Sequence, residues 1–228
     1  SKAILKKIKK DYPILKLLKS EIYENVNIIA HTRWASVGKV DIENTHPLAN
    51  VMVPSRKLPT IFSVMNGDIY NYENIISKSK KIRNVKYNNN RKSDALALSY
   101  LFMDNFVFND TKKIKKKLSR IEGSFVGAVI SDEEISKILI IKKGNLGLYY
   151  GKNNDRQFFS SDIYGLVEEC KYFYEFKRDT FSLLDKKKSY RVIRKSQKLK
   201  KINITSRDVS KKNYSYYLEK EINEAPEI

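Results

Sequence analysis

The chain has 228 residues, a formal net charge of +19 and 41% hydrophobic residues, a composition that excludes disordered, collagenous and coiled-coil chains. The longest apolar runs, such as Ile138 to Ile141, are far shorter than the roughly 20 residues that a membrane helix needs. The sequence therefore predicts a globular protein that does not span a membrane.

Helices and strands are mixed in the first half of the chain. Apolar residues at helical spacing predict a helix in two pieces over residues 3–22, broken at Pro13. Runs rich in β-branched residues predict strands, and longer periodic runs predict helices. These elements are strands at 26–34 and 60–65 and helices at 72–77, 94–103 and 110–120.

Strands dominate the second half. The apolar runs 124–130 and 137–141 flank an acidic turn at 131–134 and predict a β-hairpin, and a helix over 214–222 closes the chain. This order favours a single α+β domain with antiparallel sheets. Further short strands are predicted at 146–151, 157–160, 172–176, 180–184, 189–193 and 202–204.

The basic charge makes nucleic acid the first partner to consider, since 45 Lys and Arg residues stand against 26 Asp and Glu. Most of these bases are lysines spread over separate segments, and no helix-turn-helix or RNA-reading pattern is present. A solvated surface is the simpler interpretation, so a nucleic-acid partner is not expected. The basic start of the chain is followed by Asp11 instead of an apolar leader core, which predicts a cytoplasmic protein.

Few residues are available for nucleophilic or metal chemistry. A hydrolytic triad needs a histidine beside its nucleophile, and the chain has only His31 and His46, which are interpreted as satisfying buried backbone groups. The single cysteine, Cys170, is interpreted as a small buried apolar residue. No motif indicates a metal or an organic cofactor.

Four other residues could bind a substrate. Asn66 and Gly67 follow an apolar strand, where a glycine allows a sharp turn and an asparagine amide can donate a hydrogen bond, so the pair could form an oxyanion hole or only an ordinary turn. Arg33 could clamp a carboxylate through its planar guanidinium, and Asp94 could hold an ammonium group. Taken singly, Arg33 and Asp94 are each more often part of a structural ion pair.

Several short segments together resemble the class II glutamine amidotransferases, most closely the glutaminase domain of isomerizing glutamine–fructose-6-phosphate transaminases. They keep the family's order and approximate spacing, which is far more specific than any one of them. The segments 66–72 and 147–151 look more like asparagine synthetase, which leaves that relative as an alternative. The matching segments are 31–36, 44–47, 64–67, 93–94, 123–125, 160–162 and 219–226.

The resemblance implies the N-terminal-nucleophile hydrolase fold, a four-layer αββα sandwich, and hydrolysis of glutamine to glutamate and ammonia. The attacking thiol in that family belongs to an N-terminal cysteine whose own amine is the general base. Asn66 and Gly67 would form the oxyanion hole, and Asp94 would bind the α-ammonium group of glutamine. In other acyl-transfer enzymes one oxyanion donor stabilises the transition state by about 3 kcal/mol.

The resemblance also assigns the segment that begins at Arg33. Arg33 would bind the α-carboxylate of glutamine, Ser36 would support that contact, and Trp34 would line the outlet for ammonia. Val37 stands where the family usually has a histidine, which is a departure close to the substrate carboxylate.

The remaining departures concern the two ends of the chain. Ser1 aligns roughly 50 residues after the family's cysteine, so the first strand and the nucleophile are expected to be missing and the chain alone to be inactive. Residues 1–228 would be a single glutaminase domain truncated at both ends, with a sugar-phosphate isomerase domain following Ile228 and a homodimer as the intact protein. A non-catalytic glutamine-binding pseudoenzyme is the alternative.

Overall fold

The computed structural model contains two stacked antiparallel sheets with helices against one of them. Its described residues are 26–32, 44–50, 59–83, 93–103, 110–154, 156–185, 198–204, 213–216, 219 and 222–223.

Five strands form the first sheet, in the order β1-β2-β3-β4-β8, with every neighbouring pair antiparallel. The centre of this sheet is the long pairing between two nine-residue strands, β2 and β3, followed by the predicted hairpin from β3 to β4. The strands are β1 (Leu48–Ala49), β2 (Ile61–Ile69), β3 (Gly123–Ser131), β4 (Lys137–Lys143) and β8 (Thr180–Asp185).

Four short strands form the second sheet, in the order β6-β5-β7-β9. A short 3-10 helix, Ile163–Gly165, lies between β6 and β7, and the residues after it place Leu166 and Cys170 against Gly151. The strands are β5 (Tyr149–Asn153), β6 (Arg156–Ser160), β7 (Tyr172–Glu175) and β9 (Lys200–Lys201).

The helices α1 (Tyr72–Arg83), α2 (Leu96–Leu101) and α3 (Thr111–Leu118) connect β2 to β3. α2 is buried along its whole length because its sequence, LALSYL, is apolar on every side except for one serine. α3 begins at Asp110, whose carboxylate accepts hydrogen bonds from the amides of Lys112 and Lys113. The apolar sequence of α2 and the cap of α3 explain why these two helices form close to where the sequence predicts them.

Two apolar clusters separate the layers. One lies between the helices and the first sheet and includes Leu98, Phe102 and Phe125, while the other lies between the two sheets and includes Val126 and Tyr150. The described part of the chain therefore shows helices, sheet and sheet as successive layers. The α+β class predicted from the sequence is confirmed.

Two lysines act as helix caps instead of solvated surface groups. The ammonium group of Lys117 donates to the carbonyl of Leu101, 2.7 Å away, at the carboxyl end of α2. The ammonium group of Lys143 donates to the carbonyls of Leu118 and Ile121 just after α3. A cation at the carboxyl end of a helix satisfies unpaired carbonyls and complements the helix dipole.

Several predicted boundaries need correction. Residues 26–32, the described part of the strand predicted at 26–34, form no strand, and the strand predicted at 202–204 lies instead at Lys200–Lys201. β2 continues to Ile69, so Asn66 and Gly67 lie inside a strand and not at a sharp turn after it. The predicted elements at 3–22 and 189–193 lie outside the described residues. Within the described residues, no helix is long and apolar enough to cross a membrane.

A buried serine pair joins α2 to the first sheet. The hydroxyl oxygens of Ser63 in β2 and Ser99 in α2 lie 2.7 Å apart, and the Ser99 hydroxyl donates to the carbonyl of Leu48 in β1 over 2.8 Å. Both serines are fully buried. Buried hydroxyls need such partners, because an unpaired polar group in a core costs about 1–3 kcal/mol.

We therefore expect Ser99→Ala to lower the free energy of unfolding by about 1–3 kcal/mol, since it leaves the Leu48 carbonyl and the Ser63 hydroxyl without this partner. Urea denaturation measures the change. The control is Ser119→Ala at an exposed serine, which should change stability by less than about 0.5 kcal/mol. Equal effects of the two variants would contradict the structural role of the buried pair.

Candidate functional site

The first component of the site is an unusual stretch of β2. Asn66 and Gly67 pair with Val126 and Phe125 of β3, so they belong to the continuous ladder. Gly67 has a φ of +116°, and a Cβ at this position would lie 2.3 Å from the carbonyl oxygen of Ser124. A side chain therefore cannot be placed at residue 67 without moving the backbone. The Asn66 side chain is exposed on the same stretch of strand.

The second component is Asp94, which precedes α2. Its residue is only 9% exposed, and its carboxylate accepts a hydrogen bond from the amide of Ile69, with 2.9 Å between the two atoms. Ile69 is two residues beyond Gly67 on β2. The structure therefore brings Asp94 to the strand that carries Asn66 and Gly67.

The charge of Asp94 is disfavoured by its surroundings. Burial raises the pKa of the Asp94 carboxyl above its ordinary value, and the nearby Asp68 carboxylate raises it further, while the hydrogen bond from the Ile69 amide acts in the opposite direction. A buried carboxylate beside a second negative charge is suited to a cationic group, which would relieve both effects.

Asn71 holds the end of β2 in place, and the sequence pattern alone did not identify it. Its side-chain amide donates to the carbonyl of Arg120 over 2.9 Å, and its side-chain oxygen accepts from the amide of Glu122 over 3.1 Å. The adjacent amide of Tyr70 donates to the carbonyl of Glu122. An asparagine directly after a strand could have suggested such a clamp, but its partners are about 50 residues away in sequence and are not visible locally.

Three predicted site residues, Arg33, Trp34 and Ser36, lie outside the described residues. The chain just before them is described as far as residue 32, and the ring of His31 lies 4.2 Å from the ring of His46 between their centroids. His46 stands two residues before β1. The roles of the three residues therefore remain predictions.

Cys170 is buried, as predicted, with 6% of its surface exposed. Burial raises the pKa of its thiol, and the neighbouring Glu169 carboxylate raises it further. A thiol that is buried and held protonated is a poor nucleophile, which agrees with the apolar role expected for it.

A comparison with protein families finds a match to the glutamine amidotransferase domain over residues 46–168, more than half of the chain. This range contains Asn66, Gly67 and Asp94, and it also contains the strands β1 to β6. The match therefore covers the part of the site that the structure describes.

Curated relatives of this chain carry the name glutamine–fructose-6-phosphate aminotransferase (isomerizing). The protein of Buchnera aphidicola subsp. Acyrthosiphon pisum is 26% identical over 93% of this chain, and that of Francisella tularensis subsp. tularensis is 29% identical over 87%. The chain covers 34% and 32% of these two relatives, about a third of their length. Among solved structures, the glutamine phosphoribosylpyrophosphate amidotransferase from B. subtilis has a TM-score of 0.48 and 16% identity, covering 68% of this chain and 34% of that one.

The raised pKa of Asp94 leads to a stability prediction. The folded state holds the Asp94 proton more tightly than the unfolded chain, so protonation stabilises the fold and ionisation at neutral pH weakens it. Asp94→Asn removes the buried charge and keeps an oxygen that can accept from the Ile69 amide. We expect Asp94→Asn to have a higher melting temperature than the parent protein at pH 7. This difference should disappear as the pH falls below the unfolded-state pKa of aspartate, because the parent carboxyl is then protonated as well.

The control for this experiment is Asp68→Asn, which removes an exposed carboxylate on the same strand and should change the melting temperature at pH 7 less. A lower melting temperature for Asp94→Asn at pH 7 would show that the ionised carboxylate stabilises the fold, and it would contradict the cost assigned to burying this charge.

Proposed function

This chain belongs to the family of glutamine amidotransferase domains, and we propose that it is the glutaminase portion of a glutamine–fructose-6-phosphate aminotransferase. The observation that carries the proposal is the 2.9 Å hydrogen bond between the Ile69 amide and Asp94, because it places a buried carboxylate beside the Asn66–Gly67 stretch. Two residues of strand span about 7 Å, which is comparable with an extended glutamine molecule.

In this proposal the two ends of glutamine bind to different groups. Asp94 binds the α-ammonium group, and ion pairing there offsets the cost of its buried charge. Arg33 binds the α-carboxylate through its planar guanidinium, with Ser36 supporting that contact. The side-chain amide of glutamine then lies along β2 toward Asn66 and Gly67.

The proposed reaction is acyl transfer through a thioester. The α-amine of an N-terminal cysteine, supplied outside the 228 residues, takes the proton of that cysteine's thiol. The resulting thiolate attacks the side-chain carbonyl carbon of glutamine, and the carbonyl oxygen becomes an oxyanion. The Asn66 side-chain amide and the Gly67 backbone amide donate to that oxygen. Ammonia leaves with a proton delivered by the cysteine α-amine, and water then hydrolyses the thioester to release glutamate.

The acceptor in this proposal is fructose 6-phosphate. Support comes from the names of the curated relatives and from their length, since this chain matches about a third of each. A sugar-phosphate isomerase domain after Ile228 would receive the ammonia, Trp34 would line its outlet, and the intact protein would be a homodimer.

The first test is Asn66→Ala in the full-length gene product, assayed for glutamate release from glutamine. Loss of one oxyanion donor should lower kcat by about 100-fold and change KM much less, because the donor acts on charge that exists only in the transition state. The matched control is Asn153→Ala at an exposed asparagine in β5, which should retain full activity.

An Asn66→Ala enzyme as active as the parent would refute the oxyanion role. A parent protein that binds glutamine but releases no glutamate would instead support the pseudoenzyme alternative. Release of glutamate without formation of glucosamine 6-phosphate from fructose 6-phosphate would reject the proposed acceptor and leave the glutaminase assignment intact.

The second test is the pH dependence of glutamine binding, measured by calorimetry. The ammonium group binds the ionised Asp94, so the affinity should decrease as the pH falls through the raised pKa of this carboxyl, approaching tenfold per pH unit below it. Asp94→Asn should bind glutamine roughly 30-fold more weakly at pH 7, for a loss of about 2 kcal/mol, and should show no such decrease. An affinity of the parent protein that stays constant down to about pH 4, the ordinary range of aspartate, would contradict the role of Asp94.

A further inference from the structure

Leu146 lies directly against the backbone of Gly67. A Cβ added at Gly67 would stand 2.6 Å from Leu146 Cδ1, and the same position is bounded on the β3 side by the Ser124 carbonyl. Leu146 is half-buried and packs at the margin of the apolar cluster between the sheets. The side chain therefore forms one wall beside the peptide unit proposed to donate to the oxyanion.

The loop that carries Leu146 is fixed on two sides. At its start, the Gly144 amide donates to the carboxylate of Asp179 over 3.0 Å, in the turn before β8. The preceding residue, Lys143, anchors its ammonium group on the carbonyls of Leu118 and Ile121. The loop is thus tied to neighbouring segments immediately before it reaches Gly67.

A glycine needs such support if its amide is to act as a preorganised donor. Glycine rotates about its backbone bonds more freely than any other residue, and Gly67 adopts a φ of +116° inside a strand. A donor in an oxyanion hole is effective only when its orientation is fixed before the reaction. A Cβ added at Gly67 would have three nearest neighbours. Two are backbone atoms, of Ser124 and Phe125, and the third is the side-chain atom Leu146 Cδ1.

We infer that Leu146 is a positioning residue for the Gly67 amide and that Asp179 holds Leu146 in place through Gly144. This inference rests on the proposed function, because it concerns the oxyanion donor of the same site. Leu146 acts through Gly67 and does not touch the reacting atoms, so its loss should affect kcat and leave glutamine binding nearly unchanged.

The test compares Leu146→Ala with Leu148→Ala in the full-length gene product. Both variants truncate a leucine to alanine. Leu148 is a buried member of the cluster between the sheets and Leu146 packs against that cluster, but of the two only Leu146 is among the nearest neighbours of Gly67. Leu146→Ala should lower kcat for glutamine hydrolysis about tenfold, with KM within about twofold, as expected for a misplaced donor. Leu148→Ala should lower the melting temperature and keep kcat within about twofold, because it removes only packing.

A second variant and a second readout make the result independent of core packing. Asp179→Gly removes the carboxylate that binds the Gly144 amide and keeps the positive φ of 53° accessible, so it loosens the loop from its exposed side. It should also lower kcat with little change in KM. In NMR spectra, the Gly67 amide signal should move and exchange faster in Leu146→Ala and Asp179→Gly, but not in Leu148→Ala.

An unchanged kcat and an unchanged Gly67 signal in Leu146→Ala would overturn the inference. If Leu146→Ala does not fold, the same two unchanged readouts in Asp179→Gly would overturn it. A failure of the proposed function would give a different result, because Asn66→Ala would then have no effect on kcat. If Asn66→Ala loses activity while Leu146→Ala keeps the kcat of the parent, only the positioning role is rejected.

Discussion

The hydrogen bond from the Ile69 amide to the Asp94 carboxylate is the contact on which the candidate site depends. It joins the end of β2 to the residues that lead into α2, two segments 25 positions apart in sequence. Without it, the Asn66–Gly67 stretch and the buried carboxylate would be unrelated features of a strand and a helix. With it, the Asp94 carboxylate is bound to β2 two residues beyond Gly67, which is the placement that the proposed site requires.

The same site combines groups that are unfavourable for stability. Asp94 carries a charge that burial opposes, Asp68 adds a like charge beside it, and Gly67 adopts a backbone conformation that a side chain would prevent. The buried Ser63–Ser99 pair fastens the same strand to α2, and the Asn71 clamp fastens its end to the residues just before β3. Groups that cost stability are expected where side chains and backbone are held in position to bind a ligand.

The sequence predicted the elements better than it predicted their contacts. Hydrophobic periodicity located α3, the β3–β4 hairpin and the α+β class, because these depend on local patterns. The Asn-Gly pair was interpreted as lying at a turn since the dipeptide favours turns locally, but a nine-residue pairing with β3 keeps it inside β2. The scattered lysines were interpreted as a solvated surface, and only the folded chain shows that Lys117 caps the carbonyl of Leu101. The chemistry of Asn66, Gly67 and Asp94 made them candidates, and the family's motifs, not periodicity, assigned their roles.

The most direct test of the proposed pocket is a crystal structure of the intact protein with bound glutamate, the product of the proposed reaction. We expect the α-ammonium group of glutamate within hydrogen-bonding distance of the Asp94 carboxylate. Its side-chain carboxylate should point along β2 toward the Asn66 and Gly67 amides. Glutamate bound elsewhere, or bound with its ammonium group away from Asp94, would contradict the central claim that these groups form one pocket.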